Sequence, residues 1–168
     1  MVNARLRFTA VALAALFAFS SAAFSAPATG LDPAAKSLPA EQRLQAPDNL
    51  RLPPASAFRT TSGLRYVVLN KGKGTASPVL SDTVTIDYIG WDFKGRAFDS
   101  TVTRGQPSTF PLTGLIKGWQ EGVPLMQVGD TFRFWIPGKL AYDDAPGGDA
   151  PKGKLVFDVT LHAIEPVK

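Results

Sequence analysis

The sequence predicts an α+β domain, an antiparallel sheet with one short helix packed on a single face. Three observations carry this. From Leu64 onward, segments alternate between apolar and polar residues. One short stretch has helical spacing. The connecting segments are rich in Gly and Pro.

The elements follow in order. Leu64-Arg65-Tyr66-Val67-Val68-Leu69 is a strand candidate, closed by the turn-rich KGKGTASP. Thr83 to Ile89 alternates, with Val84, Ile86 and Tyr88 on one side and Thr83, Thr85 and Asp87 on the other. Thr131–Ile136 repeats the pattern through Phe132, Phe134 and Ile136, and Leu155–Leu161 through Leu155, Phe157, Val159 and Leu161. Period-two alternation of β-branched and aromatic residues marks half-buried antiparallel strands. The single helix falls within Leu115–Glu121, where Leu115 and Ile116 share a face with Trp119.

Three regions precede or contain these elements. Residues 1–26 open with Arg5 and Arg7, run apolar from Phe8 to Phe19 and end in small residues. That is the pattern of a secretory signal peptide, cut near Ser25 or Ala26 or after Ala23. The apolar run is shorter than the roughly 20 residues of a spanning helix, so an uncleaved anchor is the weaker alternative. Residues 27–57 carry six prolines among many alanines and read as a semi-extended linker, with a weak helical patch at Ala40–Gln45 and a dimerising arm as the alternative. Residues 58–168 form the folded domain. The absence of cysteine suits an oxidising compartment, the periplasm or the exterior.

Composition removes several functions. Of 18 basic residues, Arg5 and Arg7 lie in the leader, and the remaining 16 face 14 acidic residues. A net charge near +2 is no footprint for nucleic acid. With one histidine, His162, and no cysteine, a zinc site lacks ligands, and no metal or cofactor is expected. No nucleophile elbow, phosphate loop or dinucleotide fingerprint occurs. Asp87 and Asp99 could form a glycosidase carboxylate pair, but spacing in sequence does not give their separation. Eleven aromatics between Tyr88 and Phe157 exceed what a small sheet and one helix can bury, so an apolar pocket with a few polar groups is the default site.

The blocks that carry these aromatics have a family order. Val84-Thr85-Ile86-Asp87-Tyr88-Ile89-Gly90, Gly95-Arg96-Ala97-Phe98-Asp99-Ser100, Leu115-Ile116-Lys117-Gly118-Trp119-Gln120-Glu121-Gly122, Met126 with Val128-Gly129, and Ala141-Tyr142 with Leu155–Val159 succeed one another. From about Phe58 to Pro166 the chain resembles the FKBP-type peptidyl-prolyl cis–trans isomerases. The resemblance implies a five- to six-stranded antiparallel sheet wrapped around one short helix. It also implies a pocket floored by Trp119, walled by Tyr88, Phe98 and Phe157, and bordered by Phe110, Leu115 and Ile116. Asp99 would bring a carboxylate to its edge, Tyr142 a hydroxyl and Ile116 a backbone N–H. The catalytic set implied is Tyr88, Phe98, Asp99 and Tyr142. The substrates implied are proline-containing segments of exported polypeptides, with macrolides as inhibitors.

The chemistry suits these residue types. Rotating an X–Pro amide crosses a barrier of about 20 kcal/mol and takes about 10–100 s unaided. No covalent bond breaks, so no nucleophile or metal is needed. Two departures stand out. Ser108 occupies a position where the family often has phenylalanine. The loop after Tyr142 is short and acidic, with Asp143, Asp144 and Asp149. They predict weaker catalysis or a shift towards basic residues before proline. The rival reading is a non-catalytic chaperone on the same fold.

Overall fold

The computed structural model describes residues 30–31, 37–146 and 148–167, so the leader and its cleavage region lie outside the described residues. Within them, seven strands form one antiparallel sheet. They are β1 (Phe58–Arg59), β2 (Arg65–Asn70), β3 (Thr83–Asp92), β4 (Ala97–Ser100), β5 (Ser108–Pro111), β6 (Thr131–Ile136) and β7 (Leu155–Glu165). Their order is β1-β2-β6-β7-β3-β4, and β5 shares the outer edge of β3 with β4. The strand beyond the expected five or six is β1, whose two residues are too few to leave a periodic signal.

Among the described residues three short α-helices accompany the sheet: α1 (Ala40–Arg43), α2 (Thr101–Arg104) and α3 (Lys117–Gly122). The expected central helix is α3. It starts two residues late because Leu115 and Ile116 are extended (ψ 170° and 150°), following a tight turn at Leu112–Gly114. The Gln120 side chain then donates to the carbonyl of Leu115 at 2.7 Å and holds the extended entry against the helix. Gly118 lets α3 lie close on the sheet. A Cβ there would stand 2.5 Å from Ile136 Cγ2, well inside van der Waals contact.

Strand register sorts the side chains into two cores. On the α3 face, Tyr66, Phe134, Phe157 and Gly90 form one row across β2, β6, β7 and β3, beside a second row of Phe132, Val159 and Tyr88. These rows pack with Trp119, Val123 and Met126 into the main core. On the opposite face, Trp135, Val156 and Trp91 are aligned and pack with Ile89 and Leu50 into a smaller core.

That second core revises two sequence expectations. Strand β6 is buried along its whole length and β3 is buried on both faces from Tyr88 onward, where half-buried strands were expected. The cover comes from the stretch read as linker. Leu50 is buried, the Trp91 indole N–H donates to the Leu44 carbonyl at 2.8 Å, and the Trp135 indole N–H is shared by the Asn49 and Leu50 carbonyls at 3.1 Å each. Residues 44–50 are therefore fastened to the sheet by backbone acceptors, which no side-chain pattern announces. Beneath them, Arg133 and Asp158 form a buried bidentate pair at 2.6 and 2.7 Å, and Arg133 also donates to Asn49 Oδ1 at 2.6 Å.

Candidate functional site

The α3 face opens into a cavity of about 450 Å³ between α3, β3, β5 and the start of β7. Its floor is Trp119, only 4% exposed, which meets Tyr88 and Phe157 edge-on at 5.0 and 5.2 Å between ring centroids. Phe110 closes another side, 6.5 Å from the Tyr88 ring. Leu115, Ile116 and Tyr142 also line the cavity, so of the nine expected site residues only Phe98 does not reach its wall.

Phe98 stands one ring back, edge-on to Phe157 at 5.6 Å, and supports that wall from behind. A bulge explains its orientation. The β3–β4 register pairs Gly90 with Asp99 and Trp91 with Ala97, which leaves Phe98 as an extra residue. A simple alternation would send Phe98 and Asp99 to opposite faces, whereas an inserted residue re-aims the chain. Both side chains then serve the α3 face. Gly90 makes room for two of the rings, since a Cβ there would lie 2.5 Å from Phe157 and 3.1 Å from Phe98.

The polar groups gather on one side of the cavity. The Tyr88 hydroxyl donates to Asp99 Oδ2 at 2.6 Å. Arg104, which sequence reasoning missed, donates from Nη1 to Asp99 Oδ1 and from Nη2 to the Tyr88 oxygen, both at 2.7 Å. Its placement depends on α2, a single helical turn. Ser100 caps it by accepting from the Val102 N–H at 2.9 Å, and Gly105 ends it at φ 72°. The turn brings Arg104, five residues on, back over Asp99. The sequence signal was the Ser100 cap with Gly105 five residues later.

This cluster fixes protonation. Burial, then the bond to Asp99, pushes the Tyr88 phenol up to about 12. Burial and the nearby Asp99 charge also raise Tyr142. The Asp99 bond raises the Arg104 guanidinium further above an already high value. At neutral pH both phenols therefore keep their protons and Arg104 keeps its charge. A test follows for Tyr88. The folded chain keeps its proton up to about pH 12, while the unfolded chain releases it near 10.0. This share of stability is complete below pH 10 and is lost as pH rises through 12. Urea unfolding across that window should show a steeper loss in the wild type than in Tyr88→Phe, and equal slopes would refute the shift.

Several groups at the cavity have hydrogen-bonding capacity to spare. Among the described residues the Trp119 indole N–H is the one buried side-chain polar atom with no partner. The Ile116 N–H and the Tyr142 hydroxyl also lack a protein partner there. Unmet buried donors are costly and are commonly resolved by a ligand or water.

Residues 74–162 match the family model described as FKBP-type peptidyl-prolyl cis-trans isomerase. The chain belongs to this family. It is 50% identical over 107 residues to an FKBP-type peptidyl-prolyl cis-trans isomerase FkpA of Aeromonas hydrophila, covering 63% of this chain and 40% of that protein. It is 44% identical over 106 residues to the peptidyl-prolyl cis-trans isomerase Mip of Coxiella burnetii, covering 62% and 46%. The crystal structure of FkpA from Escherichia coli superposes with a TM-score of 0.62 at 38% identity, over 67% of this chain and 53% of that one. The chain thus spans about half or less of the length of these relatives.

In this FKBP-type domain, two acidic features end up apart from the cavity. Asp87 faces away from Tyr88 and bonds His162 at 2.8 Å, so it forms no carboxylate pair with Asp99. In the loop after Tyr142, Asp143 is engaged by the Gly153 N–H at 2.6 Å, and Lys152 ties the carbonyls of Tyr142 and Ala145 at 2.6 and 2.9 Å. Ser108, the other departure, lines the cavity beside Phe110.

Proposed function

We propose that this chain is a peptidyl-prolyl cis–trans isomerase that takes an X–Pro segment of an exported, partly folded polypeptide into the cavity over Trp119. The observation that carries the reading is the cavity itself, a Trp119 floor with the Tyr88 and Phe157 rings edge-on to it and a polar flank of Tyr88, Asp99 and Arg104. The planar amide is a strong dipole through its C–N resonance, and the twisted transition state has lost much of it. An apolar slot disfavours the planar form more than the twisted one, which is the differential binding that lowers a barrier. The proline ring would rest on Trp119. The Tyr142 hydroxyl, kept protonated by its raised pKa, would donate to a substrate carbonyl, and the Ile116 N–H to a second. Tyr88, Asp99 and Arg104 hold the polar flank rigid, and Phe98 backs Phe157. Macrolides would compete for the same cavity. The leader at residues 1–26 supports action in the periplasm or outside the cell.

A proline-limited refolding reaction tests the activity. With far less enzyme than substrate, the slow phase should accelerate in proportion to enzyme. Suppressed aggregation with an unchanged slow phase would instead support a non-catalytic chaperone. The acidic loop bears on preference. With Asp143 engaged, Asp144 and Asp149 remain as exposed charges in the loop that follows Tyr142. A Lys-Pro peptide should be turned over a few-fold faster than a Leu-Pro peptide at low salt, with the gap closing as salt screens the loop. Equal rates at low salt would remove the loop from the account.

A further inference from the structure

Residues 51–53 and the outer strands enclose a second hollow, of about 280 Å³, that shares no lining residue with the cavity over Trp119. Four cations line it, Arg51, Arg59, Arg65 and Lys154, over a floor that includes Trp135 and Pro137. No carboxylate lines it, and none of the four has an acidic partner among the described residues. Two pairings make this accumulation specific. Arg59 and Arg65 sit directly opposite each other across β1 and β2, where like charges destabilise a sheet. Arg51 and Lys154 converge on one ring, Phe93, at 5.5 and 5.3 Å from its centroid. Phe93 itself is 42% exposed, and it borders an adjoining hollow that adds Lys94, Arg96 and Lys152. The single acid of that hollow, Asp92, is already held by Arg96 and by the backbone N–H groups of Lys94 and Arg96.

From this we infer that the hollow is an anion site for a phosphate-class group bearing two or more charges. Guanidinium forks match the geometry of tetrahedral oxyanions, and three of the four cations are arginines. The indole floor lowers the local dielectric and strengthens each contact. A bound polyanion relieves the Arg59–Arg65 repulsion, which a surface cluster with nearby acids would not need. The same chemistry is offered by a soluble phosphate and by an anionic lipid headgroup.

The test uses the full chain and two double variants, Arg59→Gln with Arg65→Gln, and Arg51→Gln with Lys154→Gln. Pyrophosphate is titrated by calorimetry and by thermal unfolding, with ionic strength held constant by sodium chloride. Wild type should bind saturably and melt at a higher temperature with pyrophosphate. Both variants should bind at least tenfold more weakly while keeping the wild-type isomerisation rate. The Arg59/Arg65 variant should also melt higher than wild type without any anion. Sedimentation with phosphatidylglycerol or phosphatidylcholine vesicles separates the sources. Vesicle binding by wild type but by neither variant assigns a headgroup, and pyrophosphate binding alone assigns a soluble phosphate. No saturable binding of either, or binding unchanged in both variants, overturns the site.

Discussion

Asp158→Ala is expected to cost about 3–5 kcal/mol of stability, the range for removing one partner of a buried ion pair. Whole domains are stable by only about 5–15 kcal/mol, so a large fraction of the variant should be unfolded at moderate temperature. The reason is local. The side chains of Arg133 and Asp158 are 4% and 0% exposed, and the residues 44–50 close over them. Without Asp158, the guanidinium keeps only Asn49 as an oxygen partner among its side-chain bonds. The matching double variant, Arg133→Met with Asp158→Leu, removes both charges and should recover most of the loss. Urea midpoints decide it. A single variant as stable as wild type, or a double variant as damaged as the single, would show that the pair and its cover are not what holds this face of the sheet.

The second large effect falls on rate. Asp99→Ala should lower kcat/KM for an X–Pro peptide by about 10- to 100-fold, because hydrogen bonds to charged groups are worth about 1.5–3 kcal/mol. Asp99 accepts from Tyr88 and from Arg104, so its loss leaves the phenol and the guanidinium only their bond to each other. The cost in stability should be small, since the Arg104 and Asp99 side chains are 41% and 43% exposed. A fall in rate with little change in urea midpoint is the expected pattern. A fall in both would assign Asp99 to folding rather than to the site.

Much of the fold could be read from residue order, and the gaps have physical causes. Strands β3, β6 and β7 showed themselves through period-two alternation, and Trp119 shared a helical face with Leu115 and Ile116. Tyr88 and Phe157 lay on the alternating apolar sides of their strands, and their place in a pocket, with that of Phe110, came from the family resemblance of the blocks. Phe98 and Asp99 were harder, because a bulge breaks the alternation that would have separated them. Arg104 was missed since a one-turn helix leaves no periodic pattern, only a cap and a closing glycine. The docking of residues 44–50 on the sheet was hidden for a different reason. Its anchors are the carbonyls of Leu44, Asn49 and Leu50, groups that every residue carries. The tryptophans that bind them, Trp91 and Trp135, were visible, but their partners were not.

On the proposed function, the cavity over Trp119 speeds rotation about X–Pro bonds. Exchange NMR on a short X–Pro peptide measures that rotation directly, with no coupled protease and no refolding protein. Catalytic amounts of wild type should merge or cross-link the cis and trans signals on a timescale far shorter than the uncatalysed 10–100 s or so. Asp99→Ala at the same concentration should do so much more slowly. Separate, non-exchanging signals with folded wild-type protein, or equal exchange in the two proteins, would contradict the account.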